Sequence, residues 1–322
     1  MPATMTHAFF SKDVYDIMPT DIKENLNIKR VIMFGQSTDS FIFYNLFSLK
    51  SGKKMREFQH TFHTKQSQEF FLNLLRYIKD NNIKDVDTYS FMVGFICHYV
   101  LDSIVHPYIF YKTGEFIKHE PSTYKYNGIH HFMEIFLDND MIRRRFKTNP
   151  YKFKIYKYCF DLRPFSYSLN KTINYTFFNT YNMKDMSSKY YKSLKDMKKS
   201  MRRFRYDPYG FKKNFYKLID TFTTNGTFRF EAISYYYPLN DRHNFLNNSH
   251  STWRNPTTYS ITSNESFIDL YLKAIKLAKV MICASFDYIN DKDIDLEKIF
   301  INNSYTTGIN CDSDKKMKYF EF

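Results

Sequence analysis

Apolar positions along the chain recur mainly at helical spacing. In QSQEFFLNLLRYIKD, residues 66–80, Phe70, Leu74 and Tyr77 or Ile78 share one helical face. Asp87 and Thr88 are suited to cap a following apolar helix that runs toward His106. Pro107 is expected to end or kink that helix, because proline disfavours helical geometry at the residue before it. HHFMEIFLDNDMIRRR, residues 130–145, predicts another helix. Between 186 and 204, Tyr190, Leu194, Met197, Met201 and Phe204 recur at spacings of 4, 3, 4 and 3, with lysines and arginines between them. Residues 264–284 are again helical in period. The stretch 234–263, with Pro238, Pro256 and the single tryptophan Trp253, reads as loop. The expected class is all-α.

Composition narrows this further. The chain has 322 residues, 43% of them hydrophobic, so a sizeable core is attainable and wholesale disorder is excluded. Eight glycines and nine prolines leave little material for the many tight turns of an all-β fold. No internal repeat or linker divides it, and residues 1–322 are expected to form one domain. Cys97, Cys159, Cys283 and Cys311 form no CxxC pair, which suits a reducing, cytoplasmic location and argues against a thiolate zinc site. Neither a secretory signal nor an unbroken 18-residue apolar run is present in the sequence.

The net charge of +14 is unevenly spread. Residues 141–220 hold 21 Lys and Arg against five Asp and no Glu, so the remainder is close to neutral. Such a segment suits a phosphate-bearing partner, either an anionic membrane surface or nucleic acid, as well as an ordinary solvated helix face. The chain thus divides into a chemistry-bearing region 1–140, a basic helical region 141–220 and a C-terminal helical region 221–322.

The chemistry centres on His98-x-x-x-Asp102-x-x-x-His106. Residues four apart drift by only about 40° around a helix, so all three side chains share one face. Imidazole and carboxylate are the usual non-thiolate zinc ligands, and a carboxylate between two imidazoles can bridge two ions. FICHYVLDSIVHPYIF embeds these groups in an apolar helix, where unpaired charge costs several kcal/mol and coordination offsets it. His130-x-x-x-Glu134 repeats the geometry on the next helix. His7, Asp39, His60 and His63 are further candidates upstream.

The order THAFF, GQSTDSFIFY, HTFHTKQSQEFF, HYVLDSIVHPY and HHFMEIFLD resembles the zinc-dependent phospholipase C family over residues 5–140, in particular its intracellular branch. Weaker likeness continues through LNDRHNFLNNSHSTWRNP, SFIDLYLKAIKLA and NNSYTTG. The resemblance implies a multi-helical fold, shared with P1-type nucleases, and two to three Zn2+ ions in one cleft. By position, Asp39, His63, His98 and Asp102 would hold the first ion and His106, His130 and Glu134 the second. His7 and a bridging Asp102 would hold the third. Alignment on the downstream EFF favours His63 over His60 as ligand. Secreted members complete the third site with an N-terminal tryptophan, which this chain lacks. The implied reaction is phosphoester hydrolysis by metal-activated water, with Asp39 as the catalytic carboxylate. A phospholipid head group is the implied substrate, with a P1-like nuclease or nucleotidase and a non-catalytic metal-stabilised scaffold as the alternatives.

Overall fold

The structure is a computed structural model that describes residues 4–46, 51–117, 119–223, 234–235 and 243–321. Among the described residues, thirteen helices dominate: α1 Thr4–Asp16, α2 Thr20–Lys23, α3 Ile28–Phe34, α4 Ser51–Thr64, α5 Ser67–Asp80, α6 Val86–Thr113, α7 Tyr124–Phe146, α8 Ile155–Tyr158, α9 Tyr167–Tyr181, α10 Met186–Ser200, α11 Phe211–Thr223, α12 Phe267–Ile289 and α13 Leu296–Ile299. The fold is all-α, as expected. One antiparallel hairpin, β1 Trp253–Asn255 and β2 Thr258–Ser263, replaces part of the expected loop, with a register shift between Arg254 and Asn255. Pro238 of that stretch lies outside the described residues.

The 28-residue helix α6 is the axis of the molecule. It packs against α1, α3, α7, α9 and α12, and is apolar nearly all round because it is covered nearly all round. Length and composition alone would let it cross a membrane, but most of its apolar window is buried inside the protein. Its N-cap is Asp85, which accepts the Thr88 amide at 2.9 Å, rather than Asp87 or Thr88. Asp87 instead faces Arg30 of α3 across 3.2 Å, a buried guanidinium that also donates to the carbonyls of Asp161, Arg163 and Pro164.

Of the two expected outcomes, Pro107 does not end α6, which runs on to Thr113. A proline removes the hydrogen bond to the carbonyl four residues earlier, here Ser103. Gly308 lies against that carbonyl: a Cβ placed on it would come within 2.4 Å of the Ser103 oxygen and 3.1 Å of the Pro107 ring, and its φ is +64°. Only glycine permits both this approach and this backbone angle. A distant segment therefore packs against the carbonyl that Pro107 leaves without its helical donor.

A second glycine sets the depth of the site. At Gly94 a Cβ would lie 2.5 Å from the Phe34 Cβ and 2.8 Å from the Gly35 amide nitrogen. The missing side chain brings α6 against the end of α3. One turn further on, His98 reaches the carbonyl of Gly35 at 3.0 Å.

Candidate metal centre

Four segments converge on one face of α6. α1 supplies His7, the 3-10 turn Ser37–Phe43 supplies Asp39, α4 supplies His63, and α7 supplies His130 and Glu134. All but His130 are buried to within 4% of full coverage, and His130 is only slightly more exposed. His98 Nε2 lies 3.2 Å from His63 Nε2 and 3.2 Å from Asp102 Oδ2. Asp39 Oδ1 lies 3.3 Å from His63 Nε2 and 3.7 Å from His98 Nε2. On its other side, Asp102 Oδ1 lies 3.3 Å from His7 Nε2, whose ring stacks on His98 at 4.2 Å between centroids. His130 Nε2 and Glu134 Oε1 are 3.0 Å apart, and His106 joins them in a third set of ligand atoms.

Three groups of side chains could each hold a metal ion: His7 with Asp39 and His98, His63 with His98 and Asp102, and His106 with His130 and Glu134. All eight residues expected from the sequence therefore meet here. Asp39 and His98 stand beside His7 as well as Asp102, a wider neighbourhood for His7 than the sequence implied.

The donor set fits metal ions better than it fits mutual hydrogen bonding. Both oxygens of Asp102, both ring nitrogens of His7 and Nε2 of His106 are buried without a hydrogen-bond partner. Leaving a buried polar atom unpaired costs about 1–3 kcal/mol, and more for a charged group. Their separations of 3.2–3.8 Å bring the atoms together without hydrogen-bond alignment, as ligands around a shared centre would lie.

The ring orientations have identifiable causes, and sequence reasoning missed most of them. Each Nδ1 donor is engaged away from the centre: His63 to its own helix at Gln59 O (2.8 Å), His98 to Gly35 O (3.0 Å), and His106 to Tyr305 O (2.9 Å). His130 Nδ1 meets Thr113 Oγ1 at 3.1 Å. These bonds turn Nε2 inward, and such outer partners fix tautomer and aim in metal-ligating histidines. Three of the acceptors are backbone carbonyls, which carry no residue-type signal. His131, outside the pattern singled out in the sequence, also comes near, its Nδ1 3.5 Å from Glu134 Oε2. The i, i+3 spacing to Glu134 was the available clue.

Electrostatics follow from burial and crowding. Burial opposes ionisation of Asp39, but the imidazoles of His98 and His63 outweigh it and hold the carboxyl below its usual range. Asp102 is held well below its usual range in the same way, with burial opposed by His106, His98 and His7. Burial also disfavours a charged His63, yet Asp102 and Asp39 together push its pKa up to about 9. His106, where burial dominates, falls to about 3 and stays neutral.

His63, His106 and His130 open into a cleft of ≈ 850 Å³. Lys65, Lys315 and Lys316 stand on its walls beside Phe110, Phe116 and Tyr126. His60 lines the cleft but is exposed, in keeping with His63 as the inward-facing residue.

A family model for zinc-dependent phospholipase C matches residues 6–204, well over half of the chain. The chain belongs to the zinc-dependent phospholipase C family. No curated protein and no solved structure matches it. The residues that meet at the centre, His7 through Glu134, all lie inside the span matched to the phospholipase C family. The strap that carries Tyr305 and Gly308 lies beyond it, although it holds the His106 ring.

Proposed function

We propose that this chain is a zinc-dependent phosphoester hydrolase that takes a phospholipid head group in the cleft. Asp39, His63, His98 and Asp102 would hold a first ion, and His106, His130 and Glu134 a second. His7 would hold a third, with Asp102 as the bridge. Zinc bound there lowers the pKa of a coordinated water toward neutrality and offsets the charge that develops on a phosphoryl group.

The observation that carries the reading is Asp102. Its two oxygens, buried and without hydrogen bonds, face different partners: Oδ1 faces His7 and Oδ2 faces His98 and His63. A carboxylate between two such groups suits a bridging ligand. The chain's own residues do the remaining work. The Nδ1–H donors of His63, His98 and His106 aim the rings, and burial excludes bulk water behind them. Asp39, held ionised beside the cleft, is the acceptor we assign to the proton that a water molecule gives up. Lys65, Lys315 and Lys316 provide charge for an anionic phosphoester, and Phe110 and Tyr126 provide apolar wall.

Residues 1–322 are proposed to act as one domain, because the strap that fixes His106 comes from the far C-terminal region. The free thiols of all four cysteines support a reducing, cytoplasmic setting.

Elemental analysis of the purified protein, with hydrolysis assays on a phosphatidylcholine, a soluble phosphomonoester and single-stranded DNA, tests the proposal. Two to three zinc per chain and turnover of the lipid are expected. Preferential cleavage of DNA would move the assignment to a nuclease. Zinc without any turnover would leave a metal-stabilised scaffold.

A further inference from the structure

The basic region ends in a helix whose apolar side is largely uncovered among the described residues. In α11, Phe211, Phe215, Leu218 and Phe222 are 74%, 58%, 55% and 79% exposed. At 3.6 residues per turn these four positions fall within about 60° of arc, so they form one continuous stripe. Tyr209, just before the helix, is 79% exposed as well. The opposite side holds α11 to the protein: Tyr216 is buried and donates its hydroxyl to Phe204 O at 2.7 Å. Four large apolar side chains in line at the surface of a soluble fold mark an interaction face rather than chance.

Charge identifies the partner. Lys217 is exposed on the same helix, and Lys199, Arg202 and Arg203 are exposed on the segment that Tyr216 grips. They belong to the segment of residues 141–220, which holds 21 basic residues against five acidic ones. A second copy of this chain would bring the same surplus against itself. Nucleic acid would meet a stripe without polar groups to read base edges, including a leucine that cannot stack. A lipid surface with anionic head groups satisfies both features at once. Phenylalanine and leucine enter the acyl boundary while lysine and arginine stay among the phosphates.

We propose that α11 is a membrane-docking helix, and that its Phe211–Phe222 stripe seats the protein on anionic phospholipid bilayers. The proposal rests on the phospholipid reading of the cleft for its purpose, since it names the surface on which such a substrate is met. Binding is nonetheless separable from turnover.

The test is flotation of the full-length protein, as purified, with vesicles of phosphatidylcholine alone or mixed with an equal part of phosphatidylglycerol. Strong flotation with the mixed vesicles, and little with phosphatidylcholine, is expected. Phe215→Ser with Leu218→Ser should weaken partitioning more than about tenfold, since each side chain loses its burial in the bilayer. Hydrolysis of a soluble phosphoester and the helical circular dichroism signal should stay unchanged, because both positions are exposed. Lys199→Glu with Lys217→Glu should reduce partitioning and its sensitivity to salt. Equal flotation of the apolar double variant would overturn the proposal. So would equal binding to both vesicle types, or a dimer in solution that the same double variant abolishes. Failure of the unsubstituted protein to bind either vesicle, with soluble turnover intact, would defeat the docking helix alone. Vesicle binding without any turnover would defeat the hydrolase reading alone.

Discussion

Asp138 holds Thr6 twice, accepting both its amide and its hydroxyl on Oδ1 at 2.7 Å. The other oxygen accepts the Met5 amide at 2.9 Å and the hydroxyl of Tyr235. A carboxylate from α7 therefore caps the first turn of α1, one residue before His7. The same helix carries Glu134 one turn earlier. α7 thus carries two candidate ligands, His130 and Glu134, and fixes the start of the helix that carries a third, His7.

Asp138→Ala should detach that first turn. Loss of a helix cap costs about 1 kcal/mol, and two buried amides left unpaired add about 1–3 kcal/mol each. A fall in Tm of several degrees is expected, with selective loss of the zinc equivalent nearest His7. Unchanged metal content in Asp138→Ala would show that α1 is held without this clamp.

His7 itself should bind the most labile ion. Its ring nitrogens are buried without hydrogen bonds, so no protein partner fixes the ring in place of an ion. Mild chelation should remove one equivalent first, and His7→Ala should lose that one while keeping the others. Metal analysis in which His7→Ala empties the whole centre, or changes nothing, would overturn this division.

Asp102→Asn should be the most damaging single ligand change, because both oxygens face ligand groups and an amide nitrogen cannot coordinate as a carboxylate does. Loss of at least one zinc equivalent and a drop in turnover of more than about a hundredfold are expected. Near-normal metal content would refute the bridge. His243→Ala is the control, since its ring stacks on Phe245 away from the centre.

Zinc uptake should depend on pH through His63. Without metal, Asp102 and Asp39 overcome the effect of burial and raise its pKa to about 9, so the ring is charged at pH 7.5. Coordination must displace that proton. Affinity should rise by up to about tenfold per pH unit from pH 6.5 toward 9 and level off beyond. The sign for folding of the metal-free chain is opposite. A raised histidine pKa contributes stability that is complete below about 6.5 and lost as pH rises through about 9. Titration of metal-free protein with zinc in weak buffer at pH 7.5 should release close to one proton from this ring. Absence of proton release would remove His63 from the ligand set.

Much of the centre was legible because helical geometry does the placing. Residues 98, 102 and 106 share a face wherever that helix lies, and 130 and 134 repeat the relation. Other features depend on contacts that no local pattern encodes. Pro107 reads locally as a helix end or kink, and no local pattern shows that Gly308 packs over the carbonyl it frees. Asp85 rather than Asp87 caps α6 because Arg30, far away in sequence, draws the Asp87 side chain toward α3. The carbonyls of Gly35 and Tyr305 aim two ligands, yet a carbonyl belongs to every residue. The hairpin at 253–263 was hidden by polar, turn-like composition.

Gly308→Ala should expose the dependence of α6 on the strap. The added methyl would meet the Ser103 carbonyl and would also occupy a left-handed backbone conformation. A destabilisation of about 1–3 kcal/mol is expected, together with weaker metal binding at the His106 set. A Tm and zinc content matching the unsubstituted protein would show that the strap adapts.

The contact between His106 and Tyr305 also sets an order of events during synthesis, because its partners are 199 residues apart. At about 5–20 residues per second, the ribosome delivers the carbonyl roughly 10–40 s after the imidazole. Throughout that interval the ring has no partner to choose between its two nitrogens, and either one is open to passing metal. The later-made segment that carries Tyr305 is the part that decides which His106 nitrogen would face a bound ion.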